Sequence, residues 1–222
     1  MIRAVLFDMD GLIVDTEPIH FKAFRQMMRE YGHEIPESLM RQLVGYPEAD
    51  NIRDLRRLYK MEASAEEMAS RRYGLFMQLI RVEPIPVFPG FWEFSEEVRQ
   101  RGLKQAVVSS STAEQVEVIL GRLFEGQPDK GPPEAYFDAI VTGDEIIHNK
   151  PAPDIYLLAA ERLGVAPADC LALEDSPAGA QAAAAAAMCV LAAPNDYSRG
   201  LRFPGATATV GRLTDAVGYL DW

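Results

Sequence analysis

The stretch Ile2-Arg3-Ala4-Val5-Leu6-Phe7-Asp8-Met9-Asp10-Gly11 decides how the rest of the chain is read. It opens on a short apolar run whose length and Val, Ile and Phe content favour a buried strand. The run stops at acids and a glycine, and from there the hydrophobic period changes. Between about residues 18 and 81, Phe21, Phe24, Met27 and Met28, then Leu55, Leu58 and Tyr59, then Met68, Leu75, Phe76 and Leu79 recur at helical spacing. Gly32, Pro36, Gly45 and Pro47 cut that stretch into several helices. The methionine and aromatic stripes read as core.

Glu83-Pro84-Ile85-Pro86-Val87-Phe88-Pro89-Gly90 holds three prolines and reads as a boundary. Beyond it helices and strands alternate. Helices are expected at about 90–101, 113–124, 154–163 and 178–187, and strands at 105–109, 139–142, 171–173 and 189–192, with 207–210 as a further edge strand. Such alternation means crossovers and a parallel sheet. The expected fold class is therefore α/β: a Rossmann-like parallel-sheet core with helices on both faces and an inserted α-helical cap domain. Residues 1–14 and 86–222 would form the discontinuous core, and 15–85 the cap. The Gly- and Pro-rich segment 126–133 reads as an irregular surface loop. Six alanines at 182–187 read as a helix packed closely on the sheet.

Composition narrows the function. The chain has 222 residues and a net charge of −11, from 22 Lys+Arg against 33 Asp+Glu. That balance disfavours a nucleic-acid polymer as partner, since phosphate polymers need a basic face. A small anionic ligand needs only one local basic group. No apolar run approaches the roughly 18 residues of a membrane span, and the N-terminus lacks a signal-peptide pattern. Cys170 and Cys189 show no Cys-x-x-Cys spacing and read as reduced core thiols. The expectation is a cytoplasmic protein with no membrane partner, monomeric by default.

In an open parallel sheet, ligands sit beyond the carboxyl ends of the strands. Asp8 and Asp10 follow the first expected strand, and Ser109, Ser110 and Ser111 end the second. Gly143-Asp144 and then Lys150-Pro151 follow the third, and Glu174-Asp175 the fourth. Carboxylates, a hydroxyl and an ammonium would thus meet at one edge. An oxygen-only acidic set with no His or Cys favours Mg²⁺. The ion would neutralise charge on a substrate phosphate, and the ammonium and hydroxyl could hold its other oxygens. One aspartate could attack phosphorus; a second, two residues on and on the same side of the chain, could serve the leaving alcohol and then water.

At these residues the chain resembles the haloacid dehalogenase superfamily of phosphohydrolases, over essentially its whole length. The resemblance rests on Phe7-Asp8-Met9-Asp10-Gly11, Val108-Ser109-Ser110, Lys150-Pro151-Ala152-Pro153-Asp154 and Leu173-Glu174-Asp175-Ser176. Asp15-Thr16-Glu17-Pro18-Ile19-His20 and the helical insert make it most similar to the β-phosphoglucomutase-like branch. The resemblance implies a Mg²⁺-dependent phosphatase acting on a small phosphorylated metabolite such as a sugar phosphate. Asp8 would be the nucleophile and Asp10 the general acid/base. Ser109 and Lys150 would hold the phosphoryl group, with the Ser110 backbone and Gly11 adding contacts. Asp8, Asp175 and the Asp10 carbonyl would ligate the metal, with Glu174 assisting. Asp10 disfavours the metal-free dehalogenases, which lack a second aspartate there, and the phosphonate-cleaving members, which carry a small residue.

One departure separates hydrolysis from its runner-up, a phosphosugar mutase. Mutases in this branch carry a cap loop with Gly, then Ser and Arg, which grips a second phosphate. The comparable stretch here, Gly45-Tyr46-Pro47-Glu48-Ala49-Asp50, offers no arginine and two acids. Arg41, Arg53 and Arg56 are the nearest cations that could compensate. Glu17, His20 and Tyr46 are the candidate substrate contacts in the cap; His33 and His148 read as surface residues. A non-catalytic binding protein is disfavoured because the five residues Asp8, Asp10, Ser109, Lys150 and Asp175 are all intact.

Overall fold

The structure, a computed structural model, describes residues 1–43 and 48–222, apart from the side chain of Arg41. It divides into two compact units, Thr16–Pro84 and Met1–Asp15 together with Ile85–Trp222. The first holds helices α1 (Glu17–Glu30), α2 (Glu37–Leu43), α3 (Glu48–Leu58) and α4 (Ala65–Leu79). Pro18 opens α1, where a missing N–H costs nothing, and Ser64 caps α4 by accepting the Glu67 N–H. Ile19, Ala23 and Met27 of α1, Leu55 of α3 and Met68, Leu75 and Phe76 of α4 are buried, so most of the apolar stripes serve as core, but Leu58 at the end of α3 is 61% exposed and does not.

The larger unit alternates β1 (Ala4–Phe7), α5 (Phe91–Gln100), β2 (Lys104–Val108), α6 (Ala113–Glu125), α7 (Pro133–Tyr136), β3 (Ala139–Val141), α8 (Asp154–Leu163), β4 (Cys170–Glu174), α9 (Pro177–Ala185), β5 (Cys189–Ala192) and β6 (Ala208–Thr209). All strand pairs are parallel, in the order β3-β2-β1-β4-β5-β6. This is the expected α/β sheet. Strand period then sorts the core into two layers. Ala4, Leu6, Ala106, Val108 and Ala172 join Tyr156 and Ala159 of α8 and Ala180 of α9 on one face. On the other, Phe7 meets Phe91 and Phe94 of α5 edge-on, with ring centroids 5.6 and 5.9 Å apart. Both faces are covered, and β1, β3 and β5 are apolar throughout.

Register sets the site. Phe7 pairs with Val107 on one side and Leu173 on the other. Asp8 therefore emerges level with Val108 and Glu174. Strand order reverses at β1, and the crevice beside it is where open α/β sheets bind ligands.

Three local expectations are corrected. Segment 126–133 is not simply irregular: a 3₁₀ turn spans Pro128–Lys130, and α7 starts at Pro133. A proline at the first helical position is a start signal as well as a loop signal. The alanine helix begins at Pro177 and stops at Ala185, and Ala187 takes a left-handed φ of 62°. The last edge strand is only Ala208–Thr209.

Candidate active site

Asp8 leaves β1 with its N–H donating to the Leu173 carbonyl (3.1 Å), which fixes its backbone against β4. Lys150 lies on the segment between β3 and α8, and its ammonium reaches the centre of the cluster. Its Nζ donates to Asp8 Oδ1 at 2.5 Å, to Glu174 Oε1 at 2.7 Å and to the Val108 carbonyl at 3.2 Å. The Tyr156 hydroxyl donates to the same Glu174 oxygen (2.5 Å), and Ser176 Oγ to the other (3.1 Å). Glu174 is fully buried and has donors on both oxygens. Gly179 is required beside it, because a Cβ there would fall 1.9 Å from its carboxylate.

Asp10 has different partners. Ser111 Oγ donates to Asp10 Oδ2 at 2.9 Å and Ser109 Oγ does so at 3.3 Å, while Ser109 Oγ accepts the Ser111 N–H. Ser110 follows at the surface; its carbonyl lies where a Cβ on Gly143 would come within 2.2 Å. Asp144 is turned to another task. Its carboxylate accepts the Ala113 N–H at the start of α6, and that bond holds its pKa below the usual carboxylate range.

Asp8, Glu174 and Asp175 each present a carboxylate oxygen, all within 4.8 Å of one another and all buried. With Asp10, four carboxylates face one ammonium. Burial pushes Asp8 up to about 8; Glu174 and Asp10 add to this and Lys150 opposes it. Asp175 is pushed well above the usual range, by burial first and then by Asp8 and Glu174. Burial also penalises the Lys150 ammonium, but Asp8 and Glu174 outweigh it and its pKa rises. The cluster has too little positive charge for its acids, and its donors are hard oxygens. Both properties fit a divalent cation such as Mg²⁺.

Asn195 and Tyr156 are site residues that the sequence did not single out, while Ser176, quoted in a motif without a role, and Ser111 have larger parts there than their mention implied. Asn195 donates to the Gly11 carbonyl at 3.0 Å and to Asp175 Oδ2 at 2.8 Å. It lies three residues past β5, so the strand-end rule extended by one strand reaches it. Tyr156 carries no such signal, being one apolar-face residue of α8 among several.

Glu17 and His20 lie on α1 in the helical unit. The His20 ring stacks on Phe76 (centroids 4.1 Å apart), and its Nδ1 faces the Arg72 guanidinium. Burial, then the Arg72 charge, hold its pKa well below the ordinary histidine value, so it is neutral at pH 7. Arg72 was not foreseen: it is buried, pairs with Glu48 Oε2 at 2.5 Å and lies over the Phe24 and Phe76 rings. Tyr46, with Gly45 and Pro47, lies outside the described residues.

A parallel α/β sheet with a buried acid–lysine cluster at its switch point defines the class of protein. A family model for haloacid dehalogenase-like hydrolases matches residues 2–187, and the chain belongs to that family. A phosphorylated carbohydrates phosphatase from Thermotoga maritima is 35% identical over 188 residues, covering 83% of this chain and 81% of that protein. Among solved structures, CbbY from Rhodobacter sphaeroides in complex with phosphate matches with a TM-score of 0.84 at 29% identity, covering 100% of each chain. A solved structure from Thermotoga maritima, provisionally named a beta-phosphoglucomutase, matches with a TM-score of 0.80 at 31% identity over 99% of each chain.

Proposed function

We propose that the protein is a Mg²⁺-dependent phosphatase that hydrolyses a small phosphomonoester, a sugar phosphate or related metabolite, through an aspartyl-phosphate on Asp8. The observation that carries this is the Lys150 ammonium bonded to Asp8 and Glu174, beside an Asp10 carboxylate held by two serines. The name of the carbohydrate-phosphatase relative supports the substrate class.

Asp8, Asp175 and the Asp10 carbonyl would hold the metal, with Glu174 beside them. When bound, Mg²⁺ supplies positive charge that offsets the acids and the phosphoryl oxygens. The remaining roles belong to the chain. Lys150 and Ser109, with the Ser110 backbone and Gly11, bind phosphoryl oxygens. Asp8 attacks phosphorus, and the ester oxygen leaves carrying a proton from Asp10. Asp10, now a carboxylate, takes a proton from water as that water attacks the aspartyl-phosphate. Inorganic phosphate leaves and Asp8 is restored. Residues 15–85 act as the specificity-bearing cap, with Glu17, His20 and Tyr46 as its substrate contacts.

A mutase would need a free cation to hold a second phosphate. Arg53 pairs with Asp50 at 2.8 Å and Arg56 donates to the Ala63 carbonyl at 2.5 Å, so both are engaged locally. Among the described side chains that favours hydrolysis, while the buried Arg72 keeps the mutase in view; the Arg41 side chain lies outside the described residues. The test is phosphate release with Mg²⁺ from a panel of sugar phosphates, nucleotides and phosphoglycolate. β-Glucose 1-phosphate is followed for both phosphate and isomer. Free phosphate is expected; isomer without net phosphate would replace the phosphatase with the mutase.

A further inference from the structure

Asn195 is almost fully buried, and every polar atom of its side chain is engaged. Its Oδ1 accepts the Tyr197 N–H at 2.8 Å and the Ser198 N–H at 3.1 Å. Backbone N–H groups can only donate, so the amide has one possible orientation and its NH₂ must face the other way. There it meets two acceptors, the Gly11 carbonyl and Asp175 Oδ2. Gly11 completes the arrangement. With φ of +92°, it takes a backbone conformation open to glycine, and a Cβ there would lie 2.1 Å from Asp175 Oδ2 and 2.9 Å from Asn195 Nδ2. One Asp175 oxygen is thus pinned between the turn after β1 and the turn after β5. Asp175 also presents a carboxylate oxygen to the acid cluster, within 4.8 Å of oxygens of Asp8 and Glu174.

The charge state of the clamp matters as well as its reach. A lysine or arginine at this position would neutralise Asp175 and compete with a cation. A neutral amide fixes the carboxylate rotamer and leaves the negative charge in place. We infer that Asn195 is a positioning residue for the metal site, holding Asp175 ready to ligate. This rests on the proposed metal-dependent reading.

The test uses three variants of the full chain. Asn195→Ser keeps a short hydroxyl that can still accept the Tyr197 and Ser198 N–H groups, as Ser does in such turns, but cannot reach Asp175. Asn195→Ala removes turn and clamp together. Asp175→Ala removes the proposed ligand itself. Mn²⁺ binding is read by electron paramagnetic resonance and Mg²⁺ binding by calorimetry, with thermal unfolding of the metal-free proteins alongside. Both Asn195 variants are expected to bind metal at least about 10-fold more weakly, with Asn195→Ser unfolding close to the wild-type temperature. In activity assays the metal concentration for half-maximal rate rises by the same factor, and saturating metal restores most of kcat. Wild-type metal affinity in Asn195→Ser would overturn the inference while leaving the metal site standing. Wild type that binds neither ion, or Asp175→Ala that binds as well as wild type, would instead remove the metal reading beneath it.

Discussion

Lys150 in the sheet unit and Arg72 in the helical unit are both buried cations, with side chains only 6% and 4% exposed. Their surroundings differ in kind. Lys150 sits against two buried carboxylates, Asp8 and Glu174, with Asp175 and Asp10 close behind. Arg72 pairs with Glu48, itself 39% exposed, and lies over the Phe24 and Phe76 rings beside a neutral His20. The first cluster keeps an excess of negative charge that burial makes expensive; the second pairs its cation with a half-exposed acid. Excess charge held in a dry site is what a bound cation and a phosphoryl group can exploit.

The largest effect expected from breaking this contrast is at Lys150. Lys150→Ala removes the cation on the nucleophile and leaves Asp8 and Glu174 facing each other. With saturating Mg²⁺, kcat for the best panel substrate is expected to fall by about 10³-fold. A variant within threefold of wild type would show, contrary to the account, that the ammonium contributes nothing at the reacting phosphoryl group.

A pH titration of the metal-free protein sharpens the same contrast. The folded-state pKa of Asp8 is about 8, above its ordinary value, so the folded chain holds a proton that the unfolded chain has lost. Unfolding is then favoured as pH rises through that window. Tm in a chelator is expected to drop by several degrees between pH 5 and 8, with Asp175 acting in the same direction. Mg²⁺ should raise Tm strongly at pH 8 and little at pH 5. A metal effect of equal size at both pH values would contradict the picture of under-compensated acids.

At Arg72 the expected effect is smaller. Arg72→Met keeps much of the packing and frees Glu48, which is exposed enough to be hydrated. The cost is about 1–3 kcal/mol, less than for a fully buried pair, or about 3–10 °C in Tm. It should not grow between pH 6 and 8. A cost that does grow in that range would mean that Glu48 is as desolvated as Asp8. Smallest of all is Arg71, whose ion pair with Glu30 lies at the surface. Arg71→Ala should leave Tm unchanged within a degree or so, and any difference should vanish in high salt. A large shift would undo the distinction between buried and surface cations.

Much of the sheet unit was legible because strand ends obey a simple geometric rule. Parallel pairing levels β1, β2 and β4, so Asp8, Ser109, Glu174 and Asp175 emerge at one edge whatever the helices do. Lys150 is readable only through its place after β3. Asn195 escaped because the strand-end rule was not carried on to β5, whereas Tyr156 escaped because its hydroxyl finds Glu174 only once α8 is packed. Arg72 illustrates a harder limit. Sequence gives it a polar position on a helix, and nothing in the period of α4 marks it as buried under two rings. The short helix at Pro133–Tyr136 was hidden by composition, since clustered prolines and glycines suit a loop and a helix start equally.

The central claim is that Asp8 is the group that attacks phosphorus. Its most direct test is Asp8→Asn, which keeps the shape of the side chain and removes its charge and nucleophilicity. Turnover is measured with the best substrate from the panel at saturating Mg²⁺, with circular dichroism to establish that the fold is intact. The account predicts no phosphate release above background from a folded variant, and a covalently phosphorylated Asp8 in rapidly quenched wild type. Sustained Mg²⁺-dependent turnover by Asp8→Asn, or a phosphoryl group trapped on another residue, would contradict it.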